Sequence, residues 1–249
     1  MKLLITFSAI ILLGITKLTA APISPDSLRQ QLTVTTDSLK GPIYTQIAAQ
    51  YLQQYDSTAN PKQKLHLQEA TIKNTLEALH YYSRYDDTTG LRISFNTLAT
   101  VYQSEKKYSQ AKWFILQSNS LSRAKNDVPN IISSLLVLAS IKGQIKDYDL
   151  AMGDLNEALT LSVTNHYPHT QSAVEQNFAM LYARMKNYKK EAIALRRHNE
   201  IEDSISKDEE KQLMAKINAA DSLQLKKKPY LTSSKRIYSS DYFKRLALL

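Results

Sequence analysis

The 249-residue chain carries 32 Lys+Arg against 23 Asp+Glu, with 43% hydrophobic residues, five Gly, seven Pro and no Cys. This is an ordinary globular composition, which excludes wholesale disorder and collagen-like fibres. The lack of Cys removes disulfides, thiolate metal sites, a Cys nucleophile and a lipid-modified Cys, and so few Gly exclude most Gly-rich phosphate loops. The formal charge of +9 is localised: residues 1–20 contribute +2 and residues 224–249 contribute +6, leaving +1 for the body. A duplex-DNA footprint needs Lys and Arg spread over a folded surface, so nucleic acid is not an expected partner.

In chain order, Met1-Lys2 precedes an apolar or small run from Leu3 to Leu13, then Gly14 and a stretch ending Leu18-Thr19-Ala20-Ala21-Pro22. The run is too short for the roughly 20 residues of a spanning helix, and the small residues at 19–21 fit signal-peptidase cleavage after Ala20. Residues 1–20 therefore read as a signal peptide, with a membrane-anchoring first helix as the alternative because Leu18 departs from the preferred small residue at −3. The mature chain is expected to be exported, periplasmic or secreted. Residues 21–42 form a leader segment in which 26–40 reads as one short helix with cap signals at Asp26-Ser27 and Asp37-Ser38. Ile47, Ala48, Tyr51 and Leu52 at helical spacing within Ile43–Tyr55, a break at Asp56–Pro61, and a long helical pattern over Leu65–Tyr85 make a degenerate first repeat covering 43–86.

Self-similarity dominates the remainder of the chain. Tyr108, Tyr148 and Tyr188 stand 40 residues apart, as do Leu98, Leu138 and Phe178, and Ala99, Ala139 and Ala179. The text reads LATVYQSEKKYSQA at 98–111, LASIKGQIKDYDLA at 138–151 and FAMLYARMKNYKKEA at 178–192. Apolar stripes at three- and four-residue spacing predict helices: Leu91, Phe95, Leu98, Val101 and Tyr102 in one segment, and Ile131, Leu135, Leu138, Ala139 and Ile145 in the next. Small Ala at 99, 111, 139, 151 and 179 marks close helix contacts, and the Tyr residues open each second helix. Inter-repeat turns fall at Asp86–Gly90, Asn126–Pro129 and Asn165–His169. Units are expected over about 91–126, 131–166 and 171–206, followed by a long C-terminal helix over 191–225 and a basic tail over 226–249. An antiparallel pair cannot bury its stripe alone, so neighbouring pairs stack; the expected fold class is all-α, an α-solenoid of helix pairs.

These residues resemble the tetratricopeptide repeat family. Its pattern is met by Phe95, Leu98, Ala99, Tyr102, Tyr108, Ala111, Ile115 and Ser118 in the second unit. The third supplies Leu135, Leu138, Ala139, Tyr148, Ala151, Leu155 and Ala158, with Lys142 in place of the first Tyr. The fourth supplies Phe178, Ala179, Tyr182, Tyr188 and Ala192, the last one position late, which suggests an extra residue in that turn. The period exceeds the family's usual ~34 residues, so a HEAT-like repeat is the structural runner-up. HNEIEDSISKDEEKQLMAKI at 198–217 and DSLRQQL at 26–32 also resemble the segments flanking the repeats in exported-sensor histidine kinases of Bacteroidetes-type bacteria. That resemblance covers the sensor part only, since no membrane span or output domain follows.

No nucleotide-binding Gly motif, Ser elbow or HExxH is present. No catalytic residue, metal site or cofactor is expected. His166-Tyr167-Pro168-His169 reads as a polar turn, His198 as a solvated helix His, Glu202-Asp203 and Asp208-Glu209-Glu210 as a solvated acidic face, and Trp113-Phe114 as core or inter-repeat packing. The family resemblance implies a partner groove on the concave face formed by the first helix of each pair. Its lining would be Asn96, Thr100 and Gln103, then Ser140 and Gln144, then Gln176, Met180 and Arg184. This set is polar and nearly neutral, suited to an extended peptide or protein segment held by amides and hydroxyls. The function expected is a non-enzymatic exported scaffold for protein or peptide binding. The alternative is the sensor fragment of a signalling kinase, with a membrane signalling protein as partner.

Overall fold

A computed structural model describes the backbone of residues 24–246 and the side chains of residues 24–220, so the expected signal peptide lies outside the described residues. Among the described residues there are nine helices and no strand: α1 Pro25–Val34, α2 Asp37–Ser57, α3 Pro61–Arg84, α4 Thr88–Ser104, α5 Tyr108–Ala124, α6 Val128–Gln144, α7 Tyr148–Thr164, α8 Pro168–Arg184 and α9 Tyr188–Leu246. The architecture is all-α, successive helices packing on their neighbours as in an α-solenoid. The chain divides into two compact units, one ending at Ser94 and one starting at Phe95.

In the first unit the leader is not one helix over 26–40. The chain is extended at Thr35 and Thr36, and α2 starts at Asp37, ahead of the expected start at 43. Pro42 is the sixth residue of α2, past the N–H groups that a helix start leaves free, so α2 does without the bond its N–H would have made to the Ser38 carbonyl. Leu28, Ile47, Tyr51 and Leu67 form the core, and Arg29 Nη2 donates to Tyr51 Oη at 2.6 Å. Gly90, expected in a turn, is instead a buried residue of α4. A Cβ there would stand 2.2 Å from Tyr82 Cδ1, and one on Gly41 of α2 would stand 2.9 Å from Tyr82 Cε1. The two glycines thus exist to admit one ring.

In the second unit α4 from Phe95 onward pairs with α5, α6 with α7, and α8 with α9. Ala99, Ala111, Ala139, Ala151, Ala158 and Ala179 are all at most 3% exposed, where helix backbones approach closely. Ile131, Ile132, Leu135, Leu155, Val174, Phe178 and Leu181 form the main core, and Ile115, Leu138 and Ile141 a second. Ile145, placed on the α6 stripe by spacing, lies one residue past the helix end and is exposed. Trp113 is also exposed, its ring standing edge-on to Phe95 and Phe114, so it covers aromatic packing from outside and is not core.

The connections share one backbone form. Asp86, Lys106, Asn126, Lys146, His166 and Lys186 all have positive φ, between 52° and 66°, and recur every twenty residues. The next N–H in each case reaches back five residues, as in Lys107 N to Tyr102 O, Asp127 N to Ser122 O and Asn187 N to Tyr182 O at 2.9 Å. This is the Schellman closure, which satisfies the last helical carbonyls and reverses the chain without glycine. The turn before α9 is no longer than the others. Ala192 is late because Glu191 occupies the position equivalent to Ala151, while Ala194 supplies the buried small residue. α9 then runs through 191–225 and on to Leu246 without a break at 225/226. Ile205 is its last buried apolar residue among those described; Leu213, Met214 and Ile217 are exposed.

Candidate functional site

The residues expected to line a groove sit on α4, α6 and α8, the first helices of the three pairs, and all belong to the second unit. Gln103 Nε2 donates to Ser140 Oγ at 3.1 Å, which ties α4 to α6. Ser140, Met180 and Arg184 line one recess between α6 and α8, with Gly143 and Asn177. A Cβ on Gly143 would stand 3.3 Å from Leu181 Cδ1, a tight contact, while Arg184 Cδ at 3.6 Å would be at ordinary packing distance, so the glycine chiefly makes room for Leu181. Gln144 and Gln176 are exposed one turn from Ser140 and Met180 on the same helices. Thr100 spends its hydroxyl on the Asn96 carbonyl at 3.0 Å, and Asn96 Oδ1 is buried without a hydrogen-bond partner. Gln103, Ser140, Met180 and Arg184 are therefore one strip, while Asn96 and Thr100 lie farther along α4.

Charged and polar groups missed by spacing lie between helices. Lys142 and Asp154 form a nearly buried ion pair at 2.6 Å, joining α6 to α7, and Arg123 meets Glu157 at 2.6 Å across α5 and α7. Burial pushes the Asp154 carboxyl up, with Lys142 opposing. Asn119 Nδ2 donates to Ser134 Oγ at 2.6 Å.

Glu202 and Asp203 are exposed as expected, whereas His198 is half-buried and, with Glu202, reaches a buried hydroxyl. Ser172, 1% exposed on α8, donates to Glu202 Oε1, and its Oγ stands 2.7 Å from His198 Nδ1. His198 Nδ1 is also 3.1 Å from the Ser172 carbonyl, which can only accept, so Nδ1 carries the proton. Ser, His and Glu are together, but the carboxylate holds the hydroxyl and not the imidazole. This is a polar clamp between α8 and α9, unlike a nucleophile and base oriented by a third group. His169 faces Glu209 at 3.9 Å in an exposed pair, and among the described residues no group of three His, Cys, Asp or Glu is placed to hold a metal.

Glu175 is the largest departure from the repeat pattern. It stands 40 residues after Leu135, a core residue, and is itself only 4% exposed. Arg197 Nη1 approaches it at 3.9 Å, too long for a hydrogen bond, and burial pushes the Glu175 carboxyl up against that attraction. The signal for it lies in the sequence: a carboxylate in an otherwise apolar column.

No protein-family model matches the chain, and no curated protein matches it. Among solved structures, the crystal structure of BtubC (BKLC) from P. vanneervenii is similar, with a TM-score of 0.58 and 16% sequence identity over 73% of this chain and 71% of that chain. The chain has a helical-repeat fold. At that identity the likeness concerns the fold alone. No helix among the described residues of this helical repeat is long and apolar enough to cross a membrane.

Proposed function

We propose that the chain is a non-enzymatic scaffold of tetratricopeptide type that holds an extended protein or peptide segment on the α4, α6 and α8 strip. The observation that carries this reading is the continuity of Gln103, Ser140, Met180 and Arg184 across three successive first helices. Packed helices pre-order these side chains, so little rotamer freedom is left to lose on binding. The amides of Gln144 and Gln176 are exposed alongside, matched to the carbonyls and N–H groups of an extended chain. Replacing Gln103, Gln144 and Arg184 together by Ala should abolish binding of a partner captured from the native cell, with helicity by circular dichroism unchanged. Deleting 226–249 should leave most of the affinity at physiological salt, because charges there act mainly on association rate and are screened within ~8 Å. Loss of binding on deletion, with the triple variant still binding, would transfer the role to the basic segment.

Export follows from the reading of residues 1–20, and N-terminal sequencing of the mature protein should begin at Ala21; a retained Met1 would refute it. A second reading, the sensor part of a signalling histidine kinase, is favoured by the continuation of α9 beyond the last repeat. Co-purification with a membrane kinase, lost when α9 is truncated after Ile205, distinguishes the two.

A further inference from the structure

In the second unit the groove between successive second helices is treated differently in successive repeats. Between α5 and α7 it is closed by Arg123 with Glu157 and by Lys142 with Asp154, each pair at 2.6 Å, over an apolar floor at Leu135. Forty residues on, between α7 and α9, every one of these closures is gone. Tyr182 stands where Lys142 stood, Ala194 where Asp154 stood, Arg197 where Glu157 stood and Val163 where Arg123 stood, while Glu175 replaces Leu135. Exchanging Asp154 for Ala194 removes side-chain volume and leaves a cavity of about 280 Å³.

The walls and charges of that cavity select a ligand. Leu159, Phe178, Tyr182 and Ile193 line it with apolar surface; Glu175 lines it too, and Lys190 and Arg197 stand on its α9 side. Lys190 Nζ lies 5.5 Å from the centre of the Tyr182 ring and is exposed, able to turn toward an anion. A buried carboxylate wants a cationic donor, and two nearby cations want an anion, so a ligand carrying only one charge leaves half of the site unsatisfied. The size suits one compact side chain, at the small end of ligand sites.

We propose that this cavity binds a free apolar α-amino acid, its ammonium on Glu175, its carboxylate on Arg197 and Lys190, and its side chain against Leu159, Phe178 and Tyr182. An α-amino acid carries ammonium and carboxylate on the same carbon, as the side-by-side placement of Glu175 and Arg197 requires. Burial raises the affinity of Glu175 for a proton and Arg197 at 3.9 Å opposes it without a hydrogen bond, so the carboxylate retains room for a second, donating cation. The site shares no residue with the α4, α6 and α8 strip, so it goes beyond scaffold binding and stands or falls without it.

Titration calorimetry on the full mature chain tests the assignment with four probes: L-leucine, L-phenylalanine, N-acetyl-L-leucine and L-leucinamide. At least one free amino acid should bind, and removing its ammonium charge by acetylation or its carboxylate by amidation should each weaken binding about tenfold or more. Glu175→Leu, which restores the residue type of the preceding repeat, should abolish binding while raising the melting midpoint; Arg197→Gln should weaken the free amino acid at least tenfold and leave L-leucinamide unaffected. Ala194→Leu, which refills the cavity, should also abolish binding without loss of helicity. No binding of either amino acid up to about 10 mM, equal binding of the acetylated and free forms, or full binding by the Glu175→Leu variant would each overturn the proposal.

Discussion

Gly→Ala is the same chemical change at Gly90 and Gly153, and the structure assigns it opposite signs. Both glycines lie inside helices, where Ala is favoured by roughly 0.5–1 kcal/mol. At Gly153 of α7 nothing lies within 4 Å of an added Cβ, so the gain is kept in full. At Gly90 the added carbon would meet Tyr82 Cδ1, Cε1 and Cγ at 2.2, 2.3 and 2.4 Å, against the ~3.5–4.0 Å at which carbon atoms pack. The obstacle is a whole ring edge. That ring is 7% exposed, its hydroxyl is 3.0 Å from Thr45 Oγ1, and it already stands 2.9 Å from where a Gly41 Cβ would be. Overpacking of this kind costs about 1–3 kcal/mol, and expelling the ring instead forfeits about 2 kcal/mol of burial and about 1 kcal/mol of hydrogen bonding. After the helix-propensity gain, Gly90→Ala should destabilise by about 2 kcal/mol, which for a chain of this size lowers the melting midpoint by about 4–8 °C. Gly153→Ala should raise it by about 2–3 °C. Calorimetric melting of both variants gives the answer, and adding Tyr82→Leu should make the Gly90 change far less costly because the two share one space. Equal shifts of one sign at both sites would refute the packing account.

At the turns, Lys146→Gly should raise stability by about 1 kcal/mol by relieving the left-handed backbone, whereas Lys146→Val should lower it by a similar amount, both read from urea midpoints. Glu175 gives a pH dependence of definite sign. Its folded-state proton affinity is raised, so the folded chain binds more protons than the unfolded chain from the ordinary glutamate range up to the raised value. Stability at this site is therefore present at the acidic end of that window and is lost as pH rises through it; the midpoint of Glu175→Gln relative to the unsubstituted chain should rise as pH rises across the window. A flat difference would show that Glu175 is not desolvated.

The 40-residue period and the all-α class are legible in the sequence because they live in side chains that must be small, aromatic or aliphatic: Ala139 and Ala151 are buried where spacing places them, and Tyr108 and Tyr148 begin helices. The twenty-residue recurrence of left-handed residues is not legible. Lys106, Lys146 and Lys186 recur at the 40-residue period, but the alternate turns carry Asp86, Asn126 and His166, so letters show every second left-handed residue and the twenty-residue recurrence is seen only in the backbone angle. Gly90 reads as a turn residue because glycine usually marks one, but here its missing Cβ serves a ring on another helix, a requirement set by tertiary packing. The half-burial of His198 and the contact of exposed Glu202 with Ser172 are not legible because Ser172 is on a different helix. Within the strip, the link from Gln103 to Ser140 lies across two helices and depends on relative height, which one-dimensional spacing does not contain.

The uniform turn also decides what kind of sequence change this chain can absorb. Because each reversal is specified by the backbone and not by one side-chain type, substitutions there leave the direction of the next helix unchanged even where, as at Lys146, they move stability by about 1 kcal/mol. Removing or adding one residue is another matter: it rotates the following helix by about 100° about its own axis and turns Ala151 or its equivalents away from the neighbouring helix, so that a helix length of seventeen residues is inherited as a unit. Lineages of such chains should accordingly diverge freely in spelling at the turns while gaining or losing length in whole repeats, and grafting a turn from one repeat into another should be silent.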